Sequence, residues 1–228
     1  MRLACAALFA LALPSRAGAE CAKPRQHPVV LNDGTDGGAL VVATVGGFTG
    51  DDEGEALQPS WTFKIGTATA KPVITTPAPG LVVYAVPKGV ASAELYDGKA
   101  ARARVTRGTA MIPPPLEAPA IKAIERTQTP LRRGTSNTHT VVTLAGPSPA
   151  GAVALVVADA KGTARSYGIV DTGEASVTVY SQVRCSVVPK GTVDSQLGDK
   201  VTLRYVDKRG RIGAATKPIE ITSAPALK

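Results

Sequence analysis

The 228-residue sequence predicts an all-β fold, two antiparallel β-sandwiches in tandem behind a cleaved leader. Apolar stretches are short, rich in Val and Thr, and bounded by Gly, Pro and Asp, which is the pattern of strands rather than helices. Turn signals recur roughly every 8 to 12 residues, with no helical segment to cross between parallel strands. A proline-rich stretch near the middle separates two segments, each the size of a small domain.

Composition places the chain among globular proteins, with 44% hydrophobic and 19% charged residues, 23 Gly and 18 Pro. Aromatic residues make up only 4%, and two His and three Cys leave little material for nucleophilic or metal chemistry.

The N-terminus reads as a signal peptide. Met1 and Arg2 form a positive start, Leu3 to Leu13 an apolar run, and Ala17, Gly18 and Ala19 a small-residue cleavage signal after Pro14. Cleavage after Ala19 directs residues 20–228 to a secreted or periplasmic location. The run is shorter than the roughly 20 residues a membrane helix needs, and no second span is expected in the mature chain. Glu20 occupies the place before Cys21 where a lipoprotein carries a small residue.

Removal of residues 1–19 leaves 24 basic and 18 acidic residues, a net charge of +6, with Cys21 and Cys185 as the cysteines. An oxidising compartment favours a Cys21–Cys185 disulfide. It would close a loop of 164 residues, and loop-closure entropy then contributes on the order of 4 to 5 kcal/mol. A buried free Cys185 and an intermolecular bridge through Cys21 are the alternatives.

Met111 to Pro119 contains three consecutive prolines, which cannot donate to a sheet ladder and favour an extended, stiff conformation. The expected organisation is a first sandwich over 20–112, a linker over 113–119 and a second sandwich over 120–228. Residues 20–115 carry 9 basic and 9 acidic groups, and residues 116–228 carry 15 and 9, so the positive excess belongs to the second unit. Val86-Pro87-Lys88-Gly89 recurs 102 residues later as Val188-Pro189-Lys190-Gly191, as a tandem duplication would give.

In the first unit, strands are expected at Ala39–Val45, Trp61–Ile65, Val73–Thr75, Leu81–Val86, Ala93–Tyr96 and Ala101–Thr106, with Asp97-Gly98 as a hairpin signal. In the second they are expected at 121–126, 138–144, 152–158, 164–170, 176–181, 184–188, 201–206, 212–216 and 219–222. Val201, Leu203 and Tyr205 alternate with Thr202 and Arg204, as one buried face requires. Asp159-Ala-Lys-Gly162 and Asp207-Lys-Arg-Gly210 read as hairpin loops, with Asp opening the turn and Gly closing it at positive φ.

The run from Val201 through the Asp207–Gly210 turn to Ile221 resembles the final hairpin of the bacterial immunoglobulin-like and fibronectin type III-like modules of exported proteins. The resemblance covers the second unit better than the first. It implies a sandwich serving adhesion, spacing, partner docking or carbohydrate binding, and brings no assigned site residues. No Cys pair flanks a Trp as in antibody domains, and Trp61 lies outside the unit holding Cys185.

No catalytic residue is assigned. His27 and His139 are the only histidines, His139 reads as an ordinary strand residue, and a Gly-x-Ser-x-Gly elbow is absent from the sequence. No cofactor is expected. Calcium is the one candidate metal, through Asp33 and Asp36 or the acidic loop residues Asp51, Asp52 and Glu53, which supply hard oxygen ligands without the spaced calcium-loop pattern. Arg132, Arg133, Lys208, Arg209 and Arg211 would form a polyanion-binding patch if their loops share one end of the second sandwich. Trp61 and Phe63, two apart on one strand, read as core.

The function expected is that of an exported, non-catalytic interaction or structural protein of the cell envelope, with a protein or an envelope polymer as partner. A polyanion- or polysaccharide-binding protein and a hydrolase with carboxylates between its two units are the alternatives.

Overall fold

The computed structural model describes residues 27–32, 34, 37–45, 48–49, 61–65, 67–97, 99–108, 113–130, 136–184 and 197–223. The expected leader, Cys21 and Cys185, the candidate calcium ligands Asp33, Asp36, Asp51, Asp52 and Glu53, and Arg132 and Arg133 lie outside the described residues.

Among the described residues every regular element is a strand. The N-terminal half contributes β1 (His27–Val30), β2 (Ala39–Val45), β3 (Phe48–Thr49), β4 (Thr62–Ile65), β5 (Ala68–Ala70), β6 (Val73–Ala78), β7 (Leu81–Ala85), β8 (Ser92–Asp97) and β9 (Ala100–Thr106). The C-terminal half contributes β10 (Ile121–Pro130), β11 (Ser136–Leu144), β12 (Ala152–Asp159), β13 (Ala164–Ile169), β14 (Ser176–Arg184), β15 (Lys200–Asp207), β16 (Ile219–Glu220) and β17 (Thr222–Ser223).

These strands form four sheets. Sheet I has the order β1-β2-β7-β6, sheet II β5-β4-β8-β9, sheet III β17-β10-β11-β14-β3 and sheet IV β13-β12-β15-β16. Setting β3 aside and lettering the strands of the N-terminal half in chain order gives A-B-E-D against C′-C-F-G. That is the strand order of an immunoglobulin-type sandwich with one added strand. The C-terminal half repeats the plan as A-B-E against C′-C-F-G, flanked in sheet III by β17 and β3.

Three apolar clusters show how the sheets stack. Leu40, Val42, Phe63, Val82, Tyr84 and Leu95 belong to the cluster between sheets I and II. Trp61 stacks on Tyr84 there with ring centroids 5.4 Å apart, so the Trp61/Phe63 pair is core as expected. Ile124, Val142, Leu155, Val177, Leu203 and Tyr205 belong to the cluster between sheets III and IV. The third cluster joins the two halves: Ala39, Val41, Ala43, Ala78, Leu81 and Val83 of sheet I meet Val153, Ala154, Val156 and Val206 of sheet IV. The layers therefore run II, I, IV, III.

Alternation assigns the faces. Odd residues of β2 and β7 enter the junction, and even residues enter the core shared with sheet II. In β12, Ala154 and Val156 face the junction while Leu155 and Val157 face sheet III. Six of the ten buried junction residues are Val or Leu, and at about 1.5–3 kcal/mol each the junction is worth on the order of 10 kcal/mol, comparable with the whole stability of a small domain.

Polar contacts fix the register of the halves. The Tyr167 hydroxyl donates to the carbonyls of Thr44 and Gly80 at 2.7 and 3.0 Å. The Asn32 amide bonds both strands beside it, donating to the Ala39 carbonyl and accepting from the Val41 N–H, and reaches the Lys208 carbonyl at 2.6 Å. β3, in what the sequence reads as an acidic loop, crosses to pair parallel with β14, Phe48 opposite Gln182.

Most expected strands form within a residue or two of their predicted ends, and β8 and β9 pair as a hairpin at the Asp-Gly signal, with Asp97 opposite Ala100, one residue later than a turn centred on Asp97-Gly98 would set it. The segment at 212–216 differs. Only Ile212 forms a bridge, to Val206, and the chain beyond runs extended between β15 and the proline-rich connector. The Thr216 hydroxyl accepts the Leu203 N–H in place of a backbone carbonyl, and Ala214 donates to Leu116. Gly213 permits that approach, since a Cβ there would stand 2.5 Å from the Leu116 carbonyl oxygen. The connector is thus held against the C-terminal half, with Leu116 packed on its core.

The two Asp-x-x-Gly turns provide an internal comparison. Gly162 and Gly210 share positive φ, 82° and 74°, but a Cβ on Gly162 meets nothing within 4 Å whereas one on Gly210 meets Val83 Cγ1 at 2.2 Å. Gly162→Ala is expected to cost about 1–2 kcal/mol from backbone strain alone. Gly210→Ala adds an overpacking penalty of about 1–3 kcal/mol at the junction; equal losses for the two in urea denaturation would show that the hairpin does not bear on sheet I.

Burial pushes the Tyr167 phenol up to about 12, from an ordinary value near 10. The unfolded chain ionises there first, so this contribution to stability is complete below about pH 10 and is lost as pH rises through 12. Tyr167→Phe is expected to be less stable by about 1–3 kcal/mol at pH 8, because the Thr44 and Gly80 carbonyls lose the phenol proton they share, the Gly80 carbonyl keeping the Thr44 N–H. Denaturation from pH 8 to 12 should show the gap between wild type and variant narrowing, and a constant gap would contradict the buried phenol.

Candidate functional site

Of the five cations expected to converge on a polyanion patch, Lys208, Arg209 and Arg211 are described, and all three sit on the β15 hairpin at the junction. The turn is built on Asp207, whose Oδ1 accepts the N–H groups of Arg209 and Arg211 at 2.9 Å each. Its Oδ2 takes the Arg211 guanidinium through Nε at 2.8 Å and Nη2 at 2.7 Å. Arg211 also donates to the carbonyls of Pro113 and Pro114, so its guanidinium pins the connector to the hairpin. Arg209 is half-buried with its aliphatic stem against Gly37, where a Cβ would lie 2.5 Å from Arg209 Cγ. Lys208 is exposed. Arg209 and Arg211 therefore serve the joint between the halves.

The equivalent Asp159 turn stands at the surface, with Oδ1 accepting from Lys161 and Thr163 and Oδ2 from Arg165. Neighbouring N–H groups and Arg165 hold the Asp159 carboxyl below its ordinary range, against the opposing effect of desolvation.

His139 is a half-buried strand residue of β11, as expected, and His27 lies in β1. Among the described residues no group of three or more His, Cys, Asp or Glu is placed to hold a metal. Arg126, buried on the inner face of β10, donates to the Gly198 carbonyl at 2.6 Å, a contact that ties β10 to the approach of β15.

The outer face of sheet II carries charged and aromatic side chains side by side. Phe63, Leu95 and Val105 point inward, so Lys64, Glu94 and Arg104 point out. Register places these three in one row across the sheet with Thr69, as Lys64 opposes Thr69 and Glu94, and Glu94 opposes Arg104. A β-bulge follows, since Leu95 opposes Ala103 but Tyr96 opposes Ala101, leaving Arg102 as the extra residue beside Tyr96.

Tyr96 ties this surface together. The Lys64 ammonium lies 4.0 Å from the Tyr96 ring centroid, a cation–π contact, and the Tyr96 hydroxyl donates to Glu94 Oε2 at 2.9 Å. The face thus carries Lys64 and Arg104 in a row with Glu94, whose carboxylate accepts from the Tyr96 phenol, and Arg102 beside Tyr96. Summing charge by half concealed this surface. The alternation Ala101-Arg-Ala-Arg-Val105 would have revealed it, because it sends both arginines to the solvent face of a strand whose other face is core.

No family model matches the chain, and no curated protein matches it. Among solved structures the chain is similar to the BSP domain of a biofilm-associated protein, at 14% identity and a TM-score of 0.27, the match covering 90% of this chain and 30% of that one.

The hydrogen bond to Glu94, with burial and the carboxylate charge behind it, raises the Tyr96 phenol above its ordinary range. Glu94→Gln is expected to bring the Tyr96 titration back down, read by NMR of the ring carbons. An unchanged midpoint would mean that the Tyr96–Glu94 contact does not persist in solution.

Proposed function

We propose that this protein is an exported, non-catalytic component of the cell envelope that acts as an interaction or structural module. The observation that carries this reading is the four-layer stack, in which sheets I and IV give both faces to packing and the halves meet over an apolar junction. The interdomain hydrolase alternative needs facing carboxylates in that position. Asp207, the acid on the hairpin at the junction, is engaged by Arg211 and the turn backbone. The leader features at residues 1–19 support export, and Cys21 and Cys185 support an oxidised mature form.

Fractionation of the native host with non-reducing intact-mass and peptide mapping tests the reading. A chain starting at Glu20, outside the cytoplasm, with Cys21 joined to Cys185 is the expected result. A full-length cytoplasmic chain with free thiols would overturn export.

A further inference from the structure

We propose that the polar end of the C-terminal sandwich, at Arg126 and Thr140, is a binding site for the carboxylate of a small organic acid. The site goes beyond the envelope-module reading above and does not rest on it.

Alternation sets up the site. Even residues of β11 face the core, and they run Thr138, Thr140, Val142 and Leu144, so the inner face is apolar toward the connector and polar toward the other end. β10 repeats the change, with Ile124 followed on the same face by Arg126. Register sets Arg126 directly opposite Thr140, and such a pair stands about 5 Å apart at Cβ. All three polar residues are buried, Arg126 and Thr138 at 3% exposure each and Thr140 at 0%.

Polar groups in this position are costly unless they are answered. A guanidinium keeps its charge when it leaves water and needs acceptors, best an anion, in return. Among the described residues Arg126 has the Gly198 carbonyl at 2.6 Å and the Asp199 carboxylate at 4.0 Å, the outer limit of an ion pair. Asp199 is 93% exposed, so water screens most of its charge. The Thr140 hydroxyl has no hydrogen-bond partner among the described residues. Ile124, Val142 and Val177 on the same face show what this core takes where no polar group is needed. An under-satisfied cation and an unpaired hydroxyl side by side are two donors for one acceptor.

The chemistry of the pair narrows the ligand. A planar carboxylate accepts two parallel N–H bonds from a guanidinium fork and keeps a lone pair for the hydroxyl. One cation with Asp199 beside it favours a monoanion, because a dianion such as sulfate would bring excess negative charge into a buried site. Access lies on the Asp199 side. That carboxylate stands at the surface 4.0 Å from the guanidinium, and a Cβ on Gly198 would meet nothing within 4 Å.

NMR titration of the full mature chain with acetate and with sulfate, at constant ionic strength, tests the assignment through the Arg126 Nε–Hε resonance. Acetate should shift it saturably, and sulfate should bind more weakly. No saturable response to acetate, or sulfate binding as tight as acetate, would overturn the proposal. Thr140→Val removes the hydroxyl at nearly constant volume, and acetate binding should weaken roughly fivefold, as the loss of one hydrogen bond implies. Without acetate its urea midpoint should hold or rise, since a buried unpaired hydroxyl is gone. Unchanged acetate binding, or a lowered midpoint that reveals a structural partner for Thr140, would each contradict the assignment. Arg126→Lys keeps the charge and removes the fork, so binding should again fall, while Arg104→Lys on sheet II leaves it unchanged; equal losses in these two would mean that acetate senses net charge alone. If Arg126→Lys does not fold, the wild-type titration and Thr140→Val decide the matter.

Discussion

A strand with one buried face alternates apolar and polar residues, and a strand buried on both faces leaves few positions for a polar side chain. Strands β2, β7 and β12 are of the second kind: Ala39–Thr44, Leu81–Tyr84 and Ala152–Ala158 are buried without interruption. Near-continuous burial of this sort is commoner in the centre of layered α/β folds than in an antiparallel sandwich. Here a second sandwich, instead of helices, covers the outer face. Everything else at the junction follows from having to fit two twisted sheets together. Small residues, Ala39, Ala43 and Ala154, allow the close approach, Gly210 makes room for Val83, and Tyr167 supplies the donor for the Thr44 and Gly80 carbonyls.

The sequence declared its strands, turns and fold class because those depend on local patterns. Asp159–Gly162 and Asp207–Gly210 are legible as turns since the side chain and the positive φ that close them belong to the same few residues. How the halves meet was written less locally. The uninterrupted runs Leu40–Ala43, Leu81–Ala85 and Ala152–Ala158 signal burial on both faces, yet nothing in them names the covering surface. The prolines at 113–115 lie outside the strands, as their lack of N–H donors predicts, while their docking through Arg211 depends on a residue about a hundred positions away. The expected polyanion patch joined Arg132 and Arg133 to Lys208, Arg209 and Arg211 on the condition that their loops share one end, and sequence alone does not show that Arg209 and Arg211 are taken up by Gly37, Asp207 and the connector instead.

The shared strand plan makes the two ends of the stack informative. Sheets II and IV hold equivalent positions in their halves, β5-β4-β8-β9 and β13-β12-β15-β16. In sheet IV the outer face is Ala154, Val156 and Val206 and is covered by sheet I. In sheet II the equivalent face carries Lys64, Glu94 and Tyr96, and no third sandwich can pack on it without stripping those groups of water. A packing of one sandwich's sheet on a different sheet of the next is head-to-tail, and such an interface would propagate if its end faces were apolar. Polar end faces stop it, as capping repeats do in solenoids. The β6 edge of sheet I leaves Val73 and Ile74 about half exposed, but Pro72 and Pro77 bound the stretch on which another strand could pair.

Capping alone does not explain which polar residues were chosen. Among the described residues sheet III presents Thr127, Thr143 and Thr178, short hydroxyl side chains with high strand propensity and little entropy to lose, beside Glu125, His139 and the exposed Lys122. Sheet II uses long cations and an aromatic, which lose more rotamer freedom when ordered and, in the Lys64–Tyr96–Glu94 arrangement, are ordered already. Pre-ordering charged groups in the absence of ligand lowers the entropy cost of a later contact, because less freedom remains to be lost on binding. The described outward positions of the two end sheets therefore differ in side-chain length and charge, with Thr127, Thr143, Thr178 and Glu125 on one and Lys64, Glu94 and Tyr96 on the other.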